Sequence, residues 1–253
     1  MKDKGYLLEV FSSYQGEGIY AGVRQIFIRL GGCNIRCNYC DTPESWVFQK
    51  TYRVENPPES QLFETFSNPV GTADIISVVK EYVEGANRAK YHSISITGGE
   101  PLVQAAFLQT LLPQLREFGL PIYLETNGTM ASKLRQVIDL VDIVALDIKL
   151  PSCPGVEMSW EDTAECISIA SSKDVFVKIV VTQDSREEEI ERAGGIVKGI
   201  DVAIPVVLQP ATPVNSDVVP PDGERISLFS DIIRKKGLNV HIMSQIHKLV
   251  GWH

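Results

Sequence analysis

Three cysteines, Cys33, Cys37 and Cys40, fall close together in the segment GGCNIRCNYC, directly after the β-rich run RQIFIRL (24 to 30). Thiolates spaced in this way can converge on one metal centre from a single loop. A structural zinc normally takes four protein ligands, and none of the four histidines, at 92, 241, 247 and 253, lies nearby in sequence, so zinc is the weaker reading. A four-iron cluster held by three thiolates keeps one iron without a protein ligand, and a cofactor bearing an amine and a carboxylate can chelate it. Cys153 and Cys166 stand apart from this group and read as ordinary packed thiols.

A loop of this kind needs a rigid support. From Arg24 onward short β-rich runs alternate with helical patterns, the mark of repeated βα units around a parallel sheet. The strands are predicted at 24 to 30, 92 to 97, 121 to 125, 142 to 148, 175 to 181 and 202 to 208. Helices are predicted at 73 to 88, 102 to 119, 132 to 141, 159 to 172, 186 to 199 and 223 to 237, with Pro113 bending the second or ending it early. Glu187, Glu188 and Glu189 read as a solvated helix face. The stretch 49 to 71 has three prolines and no clear period, and reads as a long loop after the cysteines. With no repeat or linker visible, the pattern predicts one α/β domain over 1–253, an incomplete six-repeat (β/α) barrel. Such a barrel gathers its loops at the C-terminal ends of the strands, around one cavity.

Polar groups stand at those strand ends. Thr97, Gly98, Gly99, Glu100 and Pro101 follow one strand, where glycines allow close backbone approach and proline suits a helix start. Glu125, Thr126, Asn127 and Gly128 end the next, and Asp147, Ile148 and Lys149 the one after. A buried lysine there could bind a carboxylate or hydroxyl groups of a ligand.

Acidic residues outnumber basic ones, 32 to 24, for a formal net charge of -8, which argues against a sequence-independent grip on nucleic acid. The first residues lack the apolar run of an export signal, and no uncharged apolar stretch approaches the length of a membrane span. A cytoplasmic enzyme acting on a small molecule, without membrane or nucleic acid, is the expectation.

The spacing C-x3-C-x2-C with Tyr39 before the last cysteine resembles the motif of the radical S-adenosylmethionine superfamily, which implies a 4Fe-4S cluster and S-adenosylmethionine on this loop. In that setting TGGEP at 97 to 101 matches the segment that holds the cofactor's methionine amino group, making Gly99 and Glu100 cofactor candidates. The chain further resembles the 7-carboxy-7-deazaguanine synthases. That resemblance rests on QGEG at 15 to 18, Gly22 and Arg29 before Cys33, CDT at 40 to 42, ETNG at 125 to 128 and the tail IHKLVGWH, so its matches run from residue 11 to residue 253.

The family converts 6-carboxy-5,6,7,8-tetrahydropterin into 7-carboxy-7-deazaguanine with release of ammonia, on the way to queuosine and related deazapurines. The resemblance implies that Tyr39, Cys40, Asp41, Gly99, Glu100, Asp147, Ile148, Lys149, Gln209 and Pro210 bind the cofactor. It implies substrate contacts from Tyr14, Gln15, Gly16, Glu17, Arg29, Thr97, Glu125, Asn127, His247 and the terminal carboxylate of His253, and a magnesium ion held by Thr42. Many members have Ser-Pro-Lys where this chain has Asp147, Ile148 and Lys149. A reducing partner of the flavodoxin or ferredoxin type and a homodimer are further expectations. The rival readings are an activase that installs a glycyl radical on a partner protein, which leaves QGEG without a role, and a noncatalytic iron–sulfur protein.

Overall fold

A computed structural model describes residues 3–85 and 88–252. In chain order the elements are β1 (Lys4–Gly5), β2 (Leu7–Tyr14), β3 (Arg24–Leu30), β4 (Thr51–Glu55), β5 (Phe63–Ser67), β6 (Val70–Gly71), α1 (Thr72–Gly85), β7 (Ser93–Gly98), α2 (Ala105–Arg116), β8 (Ile122–Thr126), α3 (Ala131–Leu134), β9 (Ile143–Ile148), α4 (Trp160–Ala170), β10 (Asp174–Val181), α5 (Glu187–Ile200), β11 (Val206–Pro210), α6 (Gly223–Arg234), β12 (Val240–Ile242) and α7 (Ile246–Val250). Ten strands make one open sheet in the order β12-β11-β10-β9-β8-β7-β3-β2-β4-β5, and β1 pairs with β6 separately. From β3 through β7, β8, β9, β10 and β11 to β12 every pairing is parallel. This is the predicted (β/α) architecture, extended by a seventh short parallel strand and by a mixed flank, in which β2 is antiparallel to β3 and parallel to β4, and β5 is antiparallel to β4.

Side chains alternate across each strand, and the two faces differ in chemistry. Ile26, Ile28, Ile94, Ile96, Val144, Leu146, Val177 and Ile179 all point to the helix side and join Leu108, Leu111, Ile167, Ile190 and Phe229 in the main core. The other face carries a smaller apolar floor of Tyr123, Ile143, Ala145, Phe176 and Val207, with Tyr20 and Met243 against it. Along the same inward rows, towards the C-terminal ends, come Thr97, Glu125, Asp147, Lys178 and Gln209. The sheet therefore has an oily floor and a polar mouth on one side, and a continuous apolar face on the other.

The segment 49 to 71 is not a loop. Its residues Thr51–Glu55 pair antiparallel with Phe63–Ser67, and Glu9 and Val10 of β2 pair with Arg53 and Val54. The turn between those strands carries Pro57, Pro58 and two non-glycine residues at positive φ, Glu59 and Gln61, and its irregularity hides the period-2 alternation on either side. The hairpin is anchored where the buried Tyr82 hydroxyl of α1 donates to the carbonyl of Glu55 at 2.6 Å.

Other boundaries also move. α2 runs through Pro113, which is exposed, and ends one turn later at Arg116. The stripe Leu134, Val137, Ile138 and Val141 is buried as a helix would bury it, but helical bonding stops at Leu134 and resumes as a 3-10 turn at Ile138–Leu140. The last predicted strand starts at Val206 and not at 202, because Asp201 accepts from the Ala203 N–H and turns the chain, leaving Val202 53% exposed. Of the three glutamates that open α5, Glu189 is buried: it accepts from the backbone of Arg186 and Ser152 as a capping group. Among the described residues no helix is long and apolar enough to cross a membrane.

Tyr82→Phe removes the donor to the Glu55 carbonyl inside the protein, so a loss of about 1–2 kcal/mol is expected in urea unfolding. An unchanged midpoint would show that the hairpin is held by its strand pairing alone.

Candidate active site

A cavity of about 390 Å³ opens at the polar mouth of the sheet, walled by the inward rows, by the cysteine loop and by segments from both ends of the chain.

The cysteine loop leaves β3 at Gly31 and is pinned by its backbone. Cys33 N–H donates to Trp46 at 3.2 Å, Arg36 N–H to Gly155 at 2.8 Å, Asn38 N–H to Pro154 at 3.1 Å and Cys40 N–H to Cys37 at 3.1 Å. The Arg36 guanidinium closes the loop on itself by donating to the carbonyls of Cys33 and Ile35. All three thiols are free, Cys37 buried and the others half-buried. Three soft donors on one pinned loop fit a four-iron cluster that keeps one iron open.

Cys166 is a packed core thiol, but Cys153 does not stand apart in space. It packs with Cys37 and Ile35, and its Sγ lies 3.3 Å from Asn38 Oδ1. Its thiol hydrogen-bonds to Cys37, which brings Cys37 down to about 6 against the opposing effect of burial, with help from Lys149. Cys33 and Cys40 are raised by burial.

TGGEP holds the cysteine loop from behind. A side-chain carbon on Gly99 would lie 2.6 Å from the Gly32 carbonyl, 2.7 Å from that of Ser45 and 2.8 Å from Cys33 Cβ, so the missing side chain makes room for the thiol loop. Glu100 is fully buried and lies outside the cavity wall. Its carboxyl accepts from the N–H groups of Leu102 and Asn127 and from the Thr126 hydroxyl at 2.7–3.0 Å. Burial nevertheless raises it to about 7. Asn127 in turn donates to Asn34 at 2.9 Å. Gly99, Glu100 and Asn127 thus support the mouth from outside the cavity, and Ile148 points into the helix-side core. Pro210 ends β11 beside Val181, also off the cavity wall.

The residues brought together inside are Tyr14, Gln15, Gly16, Glu17, Arg29, Thr97 and Glu125 on one side, and Tyr39, Cys40, Asp41, Thr42, Asp147, Lys149, Gln209 and His247 on the other. β2 runs antiparallel to β3, so QGEG leaves at the floor end and turns back into the concavity. There Gln15 donates to Gln25 at 3.1 Å and to Glu125 at 2.9 Å, and Thr97 donates to the other oxygen of Glu125 at 2.8 Å. Glu17 pairs with Lys178. Burial opposes its charge, but Lys178 overcomes this and holds the carboxyl below its ordinary range. Arg29 spends its Nε on buried Glu9 at 2.9 Å, and Arg53 takes the second Glu9 oxygen at 2.7 Å.

On the cysteine side Lys149 meets Asp147 at 2.8 Å and lies 5.4 Å over the Tyr39 ring. Asp147 Oδ1, Gln209 Oε1 and Tyr39 Oη are buried with no hydrogen-bond partner among the described residues. Unsatisfied polar atoms around a buried lysine are what a polar ligand would complete. They fit the ribose, adenine and carboxylate of S-adenosylmethionine.

The chain end closes the cavity. Ile246 N–H donates to the Gly16 carbonyl at 2.9 Å, and a side chain on Gly16 would strike His247 Nδ1 at 2.0 Å. Gln245 donates to Glu17 at 2.6 Å and reaches Asp41 at 3.3 Å, and Lys248 lies 3.3 Å from Asp41. Partial desolvation at the cavity rim opposes its charge, but His247 and Lys248 hold Asp41 far below the usual carboxylate range. Ligand atoms of Glu17, Asp41 and His247 lie within 4.8 Å of one another, with the Thr42 hydroxyl 3.2 Å from Asp41, a donor set suited to a hard cation. Trp252 lies against Tyr14, with ring centroids 4.7 Å apart and the planes tilted by 35°. His253 lies outside the described residues.

Lys178, Gln245, Arg53 and Glu9 were not foreseen. The signal for Lys178 is in VFVKIVV, where one lysine interrupts a strand apolar on both faces and falls on the inward row.

Fold and cavity define an enzyme of the radical SAM superfamily, whose family model matches residues 27–193. A 7-carboxy-7-deazaguanine synthase of Geobacter sulfurreducens is 40% identical over 97% of this chain and 96% of its own length. One from Methanopyrus kandleri is 34% identical over 96% and 92%. The chain belongs to the 7-carboxy-7-deazaguanine synthase family. In fold it resembles QueE from Escherichia coli, with a TM-score of 0.59 at 20% identity over 95% and 94% of the two chains. It also resembles a radical SAM methyltransferase from Sphaerobacter thermophilus, with a TM-score of 0.62 at 15% identity over 88% and 66%.

Gly99→Ala forces the loop holding Cys33 to move, so reconstituted protein should carry clearly less iron and sulfide per chain while circular dichroism is unchanged. Equal iron would show that the contact yields without disturbing the thiols. Glu100 gives a pH test. Its folded value, about 7, lies above the ordinary 4.5, so its contribution to stability is present at acid pH and is lost as pH rises through about 7. Cluster-free protein should lose stability to denaturant between pH 4.5 and about 7, and Glu100→Gln should flatten that slope.

Proposed function

We propose that this cavity carries out the radical ring contraction of 6-carboxy-5,6,7,8-tetrahydropterin to 7-carboxy-7-deazaguanine with release of ammonia, within a single domain over 1–253. The observation that carries the reading is the convergence of the cysteine loop and the QGEG turn on one cavity. Cys33, Cys37 and Cys40 would hold a 4Fe-4S cluster, and Lys149, Tyr39 and Gln209 would bind S-adenosylmethionine. Bound together there, these cofactors supply the one-electron chemistry that starts the reaction.

The chain's own residues then do the positioning. Glu17 and Glu125 present carboxylate oxygens to the pterin's amino and ring N–H groups, and Gln15 fixes both their places through its amide. Arg29, anchored by Glu9, turns its remaining N–H groups to the substrate carboxylate. Thr42 and Asp41 would hold a magnesium ion, which would supply positive charge for the substrate carboxylate. His247 and the α7 segment that carries it cover the substrate and exclude water. A flavodoxin- or ferredoxin-type protein supplies the electron, and the enzyme works as a cytoplasmic homodimer.

The test is anaerobic reconstitution with iron, sulfide, S-adenosylmethionine, dithionite, magnesium and the carboxypterin, followed by mass analysis. Formation of 7-carboxy-7-deazaguanine without a protein partner is expected. Alanine at Cys33, Cys37 or Cys40 should abolish both cluster and product. Cleavage of S-adenosylmethionine with no change in the pterin would sink the reading.

A further inference from the structure

Lys149, Asp147, Lys178 and Glu17 form a row of alternating charge across the cavity. Lys149 Nζ lies 2.8 Å from one oxygen of Asp147, and Lys178 Nζ lies 3.5 Å from the other while pairing closely with Glu17. The four side chains are between 10% and 20% exposed. The order is fixed by the backbone, since Asp147 and Lys178 are register partners on β9 and β10 and both face inward. At one end Lys149 lies over Tyr39 beside the cysteine loop, and at the other Glu17 belongs to the QGEG turn and accepts from Gln245.

Lys178 is shared unequally. It is tight on Glu17 and loose on Asp147, whose Oδ1 has no hydrogen-bond partner among the described residues. In a buried row each charge leans on its neighbours, because solvent does little to screen them. An anion arriving at Lys149 weakens its hold on Asp147. Asp147 then draws on Lys178, and Lys178 slackens on Glu17, whose oxygens become available to N–H donors at the far end.

We infer that Lys178 is a positioning residue that couples the two halves of the cavity, so that S-adenosylmethionine at the Lys149 end tightens binding of the carboxypterin at the Glu17 end, and the reverse by linkage. This rests on the function proposed above, in which S-adenosylmethionine binds against Lys149 and the pterin's N–H groups meet Glu17; the anion that reaches Lys149 is the cofactor's carboxylate. A lysine that merely neutralises two buried acids would behave differently: its loss would weaken each ligand by itself and leave the coupling between them unchanged.

The measurement is the dissociation constant of the carboxypterin on anaerobically reconstituted enzyme with its cluster oxidised, so that nothing turns over, with and without saturating S-adenosylmethionine. Wild type should bind the pterin about tenfold more tightly with the cofactor present. In Lys178→Met the two constants should fall within about twofold of each other, and Lys178→Arg should restore most of the coupling. Asp147→Asn cuts the row while leaving Lys178 on Glu17. It should lose the coupling too, and it carries the test if Lys178→Met fails to load a cluster. Coupling of wild-type size in Asp147→Asn or Lys178→Met overturns the inference, as does wild type that binds the pterin equally with and without cofactor. Wild type that binds no carboxypterin at all overturns the proposed function, and this inference with it.

Discussion

The architecture of the cavity depends on one ion pair largely withdrawn from water, Glu17 with Lys178. Lysine in the middle of an inward strand row is tolerable only with a counter-ion beside it, and Glu17 comes from the far end of the sequence to supply one. Replacing such a pair with apolar groups can be neutral for stability, whereas removing one partner strands a charge at a cost of about 3–5 kcal/mol. The pair therefore matters less as a source of stability than as a positional constraint. It fixes where the QGEG turn sits, and the turn in turn places Gln15 on Glu125 and Gly16 beneath α7.

The acids around the cavity are pushed in opposite directions by their settings. Glu100 has only neutral donors around its carboxyl, and burial raises it to about 7. Glu17 is half-buried and Asp41 lies at the exposed rim, and each has a cation against it and stays ionised. The two ionised groups face the cavity, and the one that can carry a proton is walled off behind the cysteine loop. Carboxylates held apart in this way divide the work: Glu100 braces Asn127 and the thiol loop, while Glu17 and Asp41 meet what enters the cavity.

Much of this could be read from residues alone because it follows strand periodicity and local spacing. The parallel strands, the thiol loop and the polar strand ends come from patterns a few residues long. Contacts that depend on distant pairing could not be read that way. Cys153 looks unremarkable in sequence and reaches Cys37 only because the turn after β9 packs on the cysteine loop through Arg36 and Asn38. Gln245 shows no motif, yet it joins Glu17 to Asp41 across more than two hundred residues of chain. Glu189 sits in a run of acids that looks solvated, and becomes a buried cap because Ser152 presents an N–H to it. Glu100 looks like a cofactor ligand from its motif, and turns out to have its oxygens occupied by its own loop and the next strand's end.

The sheet is open, with β12 and β5 at its two edges and no pairing between them. An open curve leaves its concave side exposed, and a polar mouth on that side would fill with water unless something covered it. Among the described residues the cover comes from the two ends of the chain: QGEG folds up from the floor, and α7 comes down over it from β12. Their contact is close enough that Gly16 has no room for a side chain beside His247. Here the wall facing the substrate is made of short segments held by hydrogen bonds and ion pairs, and these can part and re-form around a ligand more readily than packed strands can. The open sheet thus gives a rigid side for the thiol loop and an adaptable side for the substrate.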